Sequence, residues 1–435
     1  MRGRLIRSAV LLLALGGSVG QVADASAQQE GAAEAAANLF AEAEGFLRLG
    51  RLQEARVGYE RIVAEFGAPV APTVSWRAAA RVRLGDLRWR SGAYALAGGE
   101  YVGVLEQEPP SAWTSRARLG LAGVALVDGD WVSAADLLQR VISATEAGQP
   151  DGDAGAATDA RARLGLIQRF RLQPRRGLPY WTAAGVVPTP GHELRRPWAL
   201  AASSDGHLLV VDEGIPAVLL IGPDSSRVNR LPHDDHRRPW WGFDGLPYLP
   251  TRKAGVIALG GSQLRFVGSE GDRRVPLEDL QSGARTPDGY WYLLDADPRR
   301  VLRFAPESGF ERQITGRDEE PVDLVVDGLG RLLVLERRLD RVIRFDTDGR
   351  RDVVVVEGNW RRPEAIEVDG LGNIYVLDRD EKLIDVFDAD GNPLSRLGPD
   401  FPSAVQMRSP RDIGVDGIGR VYVADRGAAT VYVIR

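Results

Sequence analysis

The stretch PHDDHRRPWW, residues 232 to 241, gathers two of the chain's four histidines and two of its ten tryptophans. His233 and His236 flank Asp234 and Asp235, a donor set from which a zinc or iron site can be assembled. In a loop, however, histidines three apart need not face the same way, and no third ligand is evident nearby. Two other segments, Asp346-Thr347-Asp348-Gly349 and Asp388-Ala389-Asp390-Gly391, begin as calcium loops do. A full calcium loop needs further ligands ending in a spaced glutamate. Asp and Gly also suit an ordinary tight turn, which is the reading we adopt for both. The absence of cysteine excludes disulfides and thiolate metal sites. Neither a P-loop nor a His-Glu-x-x-His zinc motif is present.

The elements that must position these residues follow from composition and periodicity. A content of 44% apolar and 26% charged residues is that of a folded globular chain, and 435 residues suffice for two or three cores. The net charge of −5 argues against a nucleic-acid partner. Arg2, Arg4 and Arg7 precede an apolar run from Ala9 to Leu15, and Ala25-Ser26-Ala27 follows. This is the layout of a secretory signal peptide over residues 1–27, cleaved after Ala27, and the apolar run is too short to span a bilayer. An exported protein, periplasmic or extracellular, with no transmembrane segment after cleavage is therefore expected.

Residues 35–175 carry helical periodicity in three blocks that superpose on Gly50, Gly92 and Gly129. Each glycine is placed to end one helix and open a turn. A small residue follows (Ala55, Ala97, Ala134), then Tyr59, Tyr101 or Leu138, then Ile62, Val104 or Val141. These lie at i, i+4 and i+7 on one helical face, where the small residue lets a neighbouring helix approach. Leu84-Gly85 and Leu121-Ala122 lie upstream of the second and third turns. The pattern resembles the tetratricopeptide repeat, which implies stacked antiparallel helix pairs with a concave groove for a peptide or protein. The glycines stand 42 and 37 residues apart, more than that family's usual spacing of about 34. A further helix, ATDARARLGLIQRF, is expected to cap the stack before LQPRRG interrupts it.

From residue 180 to 435 the periodicity becomes two. PVDLVVDGLGRLLVLE from Pro321, PEAIEVDGLGNIYVLD from Pro363 and PRDIGVDGIGRVYVAD from Pro410 are copies of one unit. A strand runs to Asp327, Asp369 or Asp416, turns at the following glycine, placed there to supply a positive φ, and returns to a closing acid at Glu336, Asp378 or Asp425. Looser copies start at Pro197 and Thr286 with acids at Asp212 and Asp295, and RKAGVIALGGSQLRFVG fits the strand pair without the acid. Six units of roughly 40 residues, each unable to bury both faces of its sheet alone, pack radially as a β-propeller. The proline start, Asp-Gly-x-Gly turn and Tyr-Val-Leu-Asp run resemble NHL repeats, which implies six blades. The chain ends on a third strand, ATVYVIR, so the last blade is expected to borrow its outer strand from YWTAAGVV, residues 180–187. The expected fold is thus multidomain α and β: an N-terminal α-solenoid of tetratricopeptide-like hairpins followed by a six-bladed β-propeller.

In a propeller, the loops from outer to next inner strand and from second to third strand share one face. The repeated closing acids fall there, and a carboxylate before a tight turn is expected to accept backbone N–H bonds. Arginine dominates the same face: Arg195, Arg196, Arg237, Arg238, Arg361, Arg362, Arg408 and Arg411 around the starts of inner strands, with Arg337, Arg338, Arg379 and Arg426 after the acids. The planar fork of arginine suits carboxylate or phosphate groups. Arg237-Arg238-Pro239-Trp240 repeats Arg195-Arg196-Pro197-Trp198, so PHDDHRRPWW contains a blade boundary, with His233, His236, Trp240 and Trp241 on an aromatic-rimmed recognition loop. Asp323, Glu364, Glu367 and Asp412 lie on inner strands and are the weak candidates for a channel metal. These features point to a non-catalytic binding protein without cofactor, taking a protein or peptide partner or an anionic envelope ligand. The alternative is a propeller hydrolase or lyase with a metal in the channel.

Overall fold

The computed structural model describes residues 31–47, 51–66, 74–172, 181 and 184–435, apart from short stretches at 234, 243–244, 252–254, 260–262, 271–272, 278, 307–308, 317 and 399–405. The signal-peptide expectation and the LQPRRG segment, residues 172–177, lie almost wholly outside the described residues.

Among the described residues seven α-helices come first: α1 (31–47), α2 (Leu52–Glu65), α3 (Val74–Arg90), α4 (Tyr94–Gln107), α5 (Ala112–Val127), α6 (Trp131–Glu146) and α7 (Ala154–Ile167). The periodic positions are the buried ones. Ala55, Tyr59 and Ile62 of α2, Ala97, Tyr101 and Val104 of α4, and Ala134, Leu138 and Val141 of α6 are nearly or fully buried. The repeated tyrosine is amphipathic. Its ring fills the core while the hydroxyl of Tyr59 donates to Glu44 at 2.6 Å and that of Tyr101 to Asp86 at 2.9 Å. A Cβ on Gly85 would stand 2.5 Å from the Tyr101 ring, so the glycine is needed for helix approach. Gly92 and Gly129 have φ of +74° and +75°, the left-handed conformation that terminates a helix.

Two compact units divide the chain, and the second takes in Arg90–Gly92, Gly129–Gln139 and Thr158–Arg435. The later part of α7, from Thr158, falls in the same unit as the propeller strands. Leu166, Phe170 and Trp181 are buried with Tyr375, Leu377 and Ile413. Arg169 Nη1 donates to the Gly419 carbonyl at 3.0 Å. Its leucine and aromatic positions serve that contact, which helical periodicity alone does not distinguish from a stack interface.

Among the described residues six four-stranded antiparallel sheets follow, each running from inner to outer strand, with a two-stranded pair, Val267–Glu270 and Arg273–Pro276, beside them. Their inner strands are Pro197–Ala202, Trp240–Trp241, Leu280–Arg285, Pro321–Val326, Pro363–Val368 and Pro410–Val415, numbered blades 1 to 6. Neighbouring inner strands touch all the way round. A hydrophobic cluster fills each gap between successive blades. Burial falls outward: the second strand Leu332–Glu336 is buried throughout, whereas the outer strand Val228–Pro232 is largely exposed. Blade 6 completes itself as expected, with Ala184–Val186 pairing antiparallel to Thr430–Ile434.

Two details differ from expectation. In the Asp-Gly-x-Gly turns the positive φ lies at the second glycine, Gly330, Gly372 and Gly419, whose N–H closes the turn onto the aspartate carbonyl. In blade 2 the first strand pair is Trp240–Trp241 with Pro247–Thr251, and the expected pair RKAGVIALGGSQLRFVG supplies the third and outer strands, Gly255–Ala258 and Gln263–Arg265. Alternating apolar residues mark any pair of neighbouring strands, and a two-residue inner strand leaves too short a pattern to recognise.

Candidate functional site

The closing carboxylates build the face. Asp425 accepts N–H bonds from Arg408, Ser409, Gly427 and Ala428 at 2.6 to 3.0 Å. Asp212 takes Arg195, Arg196 and Gly214, and Asp378 takes Arg361, Arg362, Asp380 and Glu381. Glu336 takes Glu320, Arg338 and Leu339. Asp295 takes Asp279 and the Arg300 guanidinium. Asp212, Glu336, Asp378 and Asp425 thereby tie the segment leading into an inner strand to the turn after the second strand, and Asp295 ties its lead-in segment to Arg300 of the third strand. These carboxylates are structural, and they hold the neighbouring arginines at the rim.

Blade 2 is the exception. Its second strand ends at Thr251, and the Arg238 N–H bonds instead to the Gln281 carbonyl of blade 3 at 2.9 Å. The Arg238 side chain crosses the channel. Its Nη1 donates to Val322 O of blade 4 at 3.3 Å and its Nη2 to Arg411 O of blade 6 at 3.2 Å. Nη1 also lies 3.2 Å from Asp323 Oδ2, and Nε 3.6 Å from Asp412 Oδ1. Burial opposes the charge of Arg238, yet Asp323, Asp412 and Glu364 raise its pKa above the ordinary value.

The two aspartates are engaged elsewhere too. Asp323 accepts the Ser282 hydroxyl at 3.1 Å and the Ile366 N–H at 3.1 Å, and Asp412 accepts the Leu200 N–H at 3.0 Å. Each links its own inner strand to that of the next blade. Glu367 faces them: burial, then the charges of Asp323 and Asp412, push its carboxyl well above the usual range. Burial pushes Asp412 up as well, with Arg238 opposing and Asp323 assisting.

A divalent cation fits this donor set poorly. The oxygens of Asp323 and Asp412 are directed at a guanidinium and at backbone N–H groups of adjacent blades, and a metal would have to displace Arg238. Among the described residues no cluster of three or more metal-ligating side chains has the required geometry.

Above the channel, Glu364 is shared by three guanidinium groups: Arg337 at 3.3 Å, Arg362 at 3.6 Å and Arg411 at 3.7 Å. Arg411 stacks on the Trp198 ring, 4.8 Å from its centroid. Burial first, then Arg379, Arg426 and Arg362, lower the pKa of Arg411. Its surroundings are therefore electropositive despite Glu364. Other candidates are paired at the rim: Arg196 and Arg426 both with Glu213 at 2.8 Å, Arg361 with Glu381 at 2.5 Å, and Arg237 with Asp279 at 2.6 Å. The Arg195 N–H is held by Asp212 at 2.7 Å.

PHDDHRRPWW is taken apart by the fold. Trp240 is buried in the core between blades 2 and 3, stacked on Tyr248. Trp241 is half-buried and donates to Ala201 O at 3.3 Å. His236 is half-buried, with no hydrogen-bond partner on Nε2 among the described residues. His233 N–H donates to Pro216 O at 3.3 Å, and Asp234 lies outside the described residues. Among the described residues of this stretch, only Arg238 enters the channel. Two roles escaped the sequence, the inward turn of Arg238 and the sharing of Glu364. The signal available for the first was the missing closing acid of blade 2.

The fold and site define a six-bladed propeller preceded by a helical region, with an internally neutralised channel under an arginine-rich mouth. Among solved structures, a streptogramin B lyase is 13% identical over 58% of this chain and 97% of its own, with a TM-score of 0.44. A gluconolactonase from Xanthomonas campestris is 13% identical over 59% of this chain and 98% of its own, at 0.45. A calcium-binding regucalcin from Agrobacterium tumefaciens is 13% identical over 58% of this chain and 93% of its own, at 0.43. The likeness is one of fold alone. No family model matches the sequence, and no curated protein matches it.

Proposed function

We propose that the chain is an exported, non-catalytic binding protein, in which tetratricopeptide-like hairpins and an NHL-type propeller each offer a recognition surface to a protein or peptide partner. The observation that carries this reading is Arg238, whose guanidinium stands between Asp323 and Asp412 where a propeller enzyme would need an open, metal-ready centre. An internal cation neutralises the channel without offering a reactive position, while at the mouth above it Arg337, Arg362 and Arg411 share Glu364. Export rests on the N-terminal layout, and amino-terminal sequencing of the secreted protein should begin at Gln28.

The rival reading, a hydrolase or lyase using a channel metal, draws on the same acids, Asp323, Glu367 and Asp412. Metal analysis of the purified full-length protein separates the two. Binding without catalysis expects no stoichiometric divalent cation, and partner capture from the exported fraction that weakens when Arg362 and Arg379 are both changed to glutamate. A stoichiometric calcium or zinc ion lost in Asp323→Asn would establish the rival.

A further inference from the structure

Arg411 is a poorly satisfied cation of the propeller. Only 9% of the residue is exposed, yet Nε has no hydrogen-bond partner among the described residues, and its nearest carboxylate, Glu364, stands at 3.7 Å, beyond hydrogen-bond reach. A buried guanidinium donor left unmatched is costly unless a ligand completes it. The group is also well fixed. Trp198 supports one face of the guanidinium, and Arg238 holds the Arg411 carbonyl from below. Arg379, Arg426 and Arg362 act on it from the rim.

Resting on the reading of this face as a recognition surface, we propose that the channel mouth is an oxyanion site. Arg411 is its floor, Arg362, Arg379 and Arg426 are its walls, and it takes a phosphate or carboxylate group of the ligand. Glu364 is the resident competitor. It occupies three guanidinium groups at distances of 3.3 to 3.7 Å, so an incoming oxyanion with better fork geometry can draw Arg411 and Arg362 from it. A neutral sugar or a cation gains nothing from this arrangement. Arg238 takes no part, because its charge is already matched within the channel.

The competitor makes the inference testable. Full-length protein is titrated calorimetrically at low salt with inorganic phosphate and, separately, with citrate, which distinguishes a phosphoryl from a carboxylate source. At least one should bind, and Arg411→Gln should weaken it by about tenfold or more. Arg379→Gln, a change at a half-buried rim position, should weaken it by roughly threefold. Glu364→Gln should tighten binding by about tenfold, whereas a purely structural cluster would only lose stability. The inference is overturned if neither anion binds, or if Glu364→Gln leaves affinity unchanged or lower. Partner capture that survives either result would leave the binding-protein reading intact. Turnover of a substrate would remove that reading without touching the anion measurements.

Discussion

The guanidinium of Arg238 compensates carboxylates on two other blades, and without it Asp323, Asp412 and Glu367 face one another with no cation in the channel. Arg238→Met should lower stability by about 3–5 kcal/mol at pH 8, as breaking a buried ion cluster does. The sign of the pH dependence follows from the raised carboxyls. Glu367 and Asp412 hold protons in the folded chain that the unfolded chain releases near pH 4, so stability falls as pH rises from about 4 through their raised values. The Arg238→Met penalty should therefore be smaller at pH 5 than at pH 8. Glu367→Gln should act in the opposite direction, stabilising by roughly 1 kcal/mol at pH 8 and less at pH 5. Urea midpoints of both variants at the two pH values check the pair. The acids themselves were readable as inner-strand residues, because each follows a lead-in proline by two to four positions. The cation was not, because Arg238 turns inward only where the closing acid is missing.

Strand pairs are held by recurring devices whose sequence signals differ in strength. The closing acid is the strongest, present in five blades and buried in each. Asp425→Ala would leave four N–H groups of the blade 6 mouth without an acceptor, and should cost about 3 kcal/mol. Asp425→Asn, which retains a carbonyl, should cost about half as much, with equilibrium unfolding in urea as the measurement. A fainter device lies at the bulge after the first residue of the inner strand. There Asp323 and Asp412 reach into the next blade, and the residues they pass are Ala365 and Ala199, both fully buried. An acid in one blade followed by alanine in the next is visible in the sequence once the register is known. Blade 2 resisted reading because its inner strand is two residues long and two prolines, Pro247 and Pro250, lie in its second strand.

At the scale of the whole molecule, a ring of sheets is only as stable as its closure. The closing pair joins Gly185 to Val433, and a side chain at 185 would meet nothing within 4 Å. The cysteine-free chain allows a clean test. Facing residues of an antiparallel pair lie within disulfide range. The double variant Gly185→Cys, Val433→Cys should be stabilised by about 2–4 kcal/mol when oxidised, and not when reduced. Differential scanning calorimetry with and without reductant provides the comparison. An unchanged oxidised protein would mean that the outer strand is not the weak point of the ring.

The features legible in the chain are those that repeat: helix pairs from a buried small-aromatic-aliphatic stripe, six blades from proline, Asp-Gly-x-Gly and closing acid, and the borrowed outer strand of blade 6. Repetition carries these because every copy obeys the same local burial and turn requirements, so one clear unit interprets a vague one. What happens where the copies converge was legible only in the folded ring. Arg238 reaches Asp323 and Asp412 across residues 85 and 174 positions away, Glu364 is shared by arginines of three blades, and Trp240 withdraws into a core. Those outcomes depend on distances across a closed ring. Such distances arise from radial packing of all six sheets, and no local spacing encodes them.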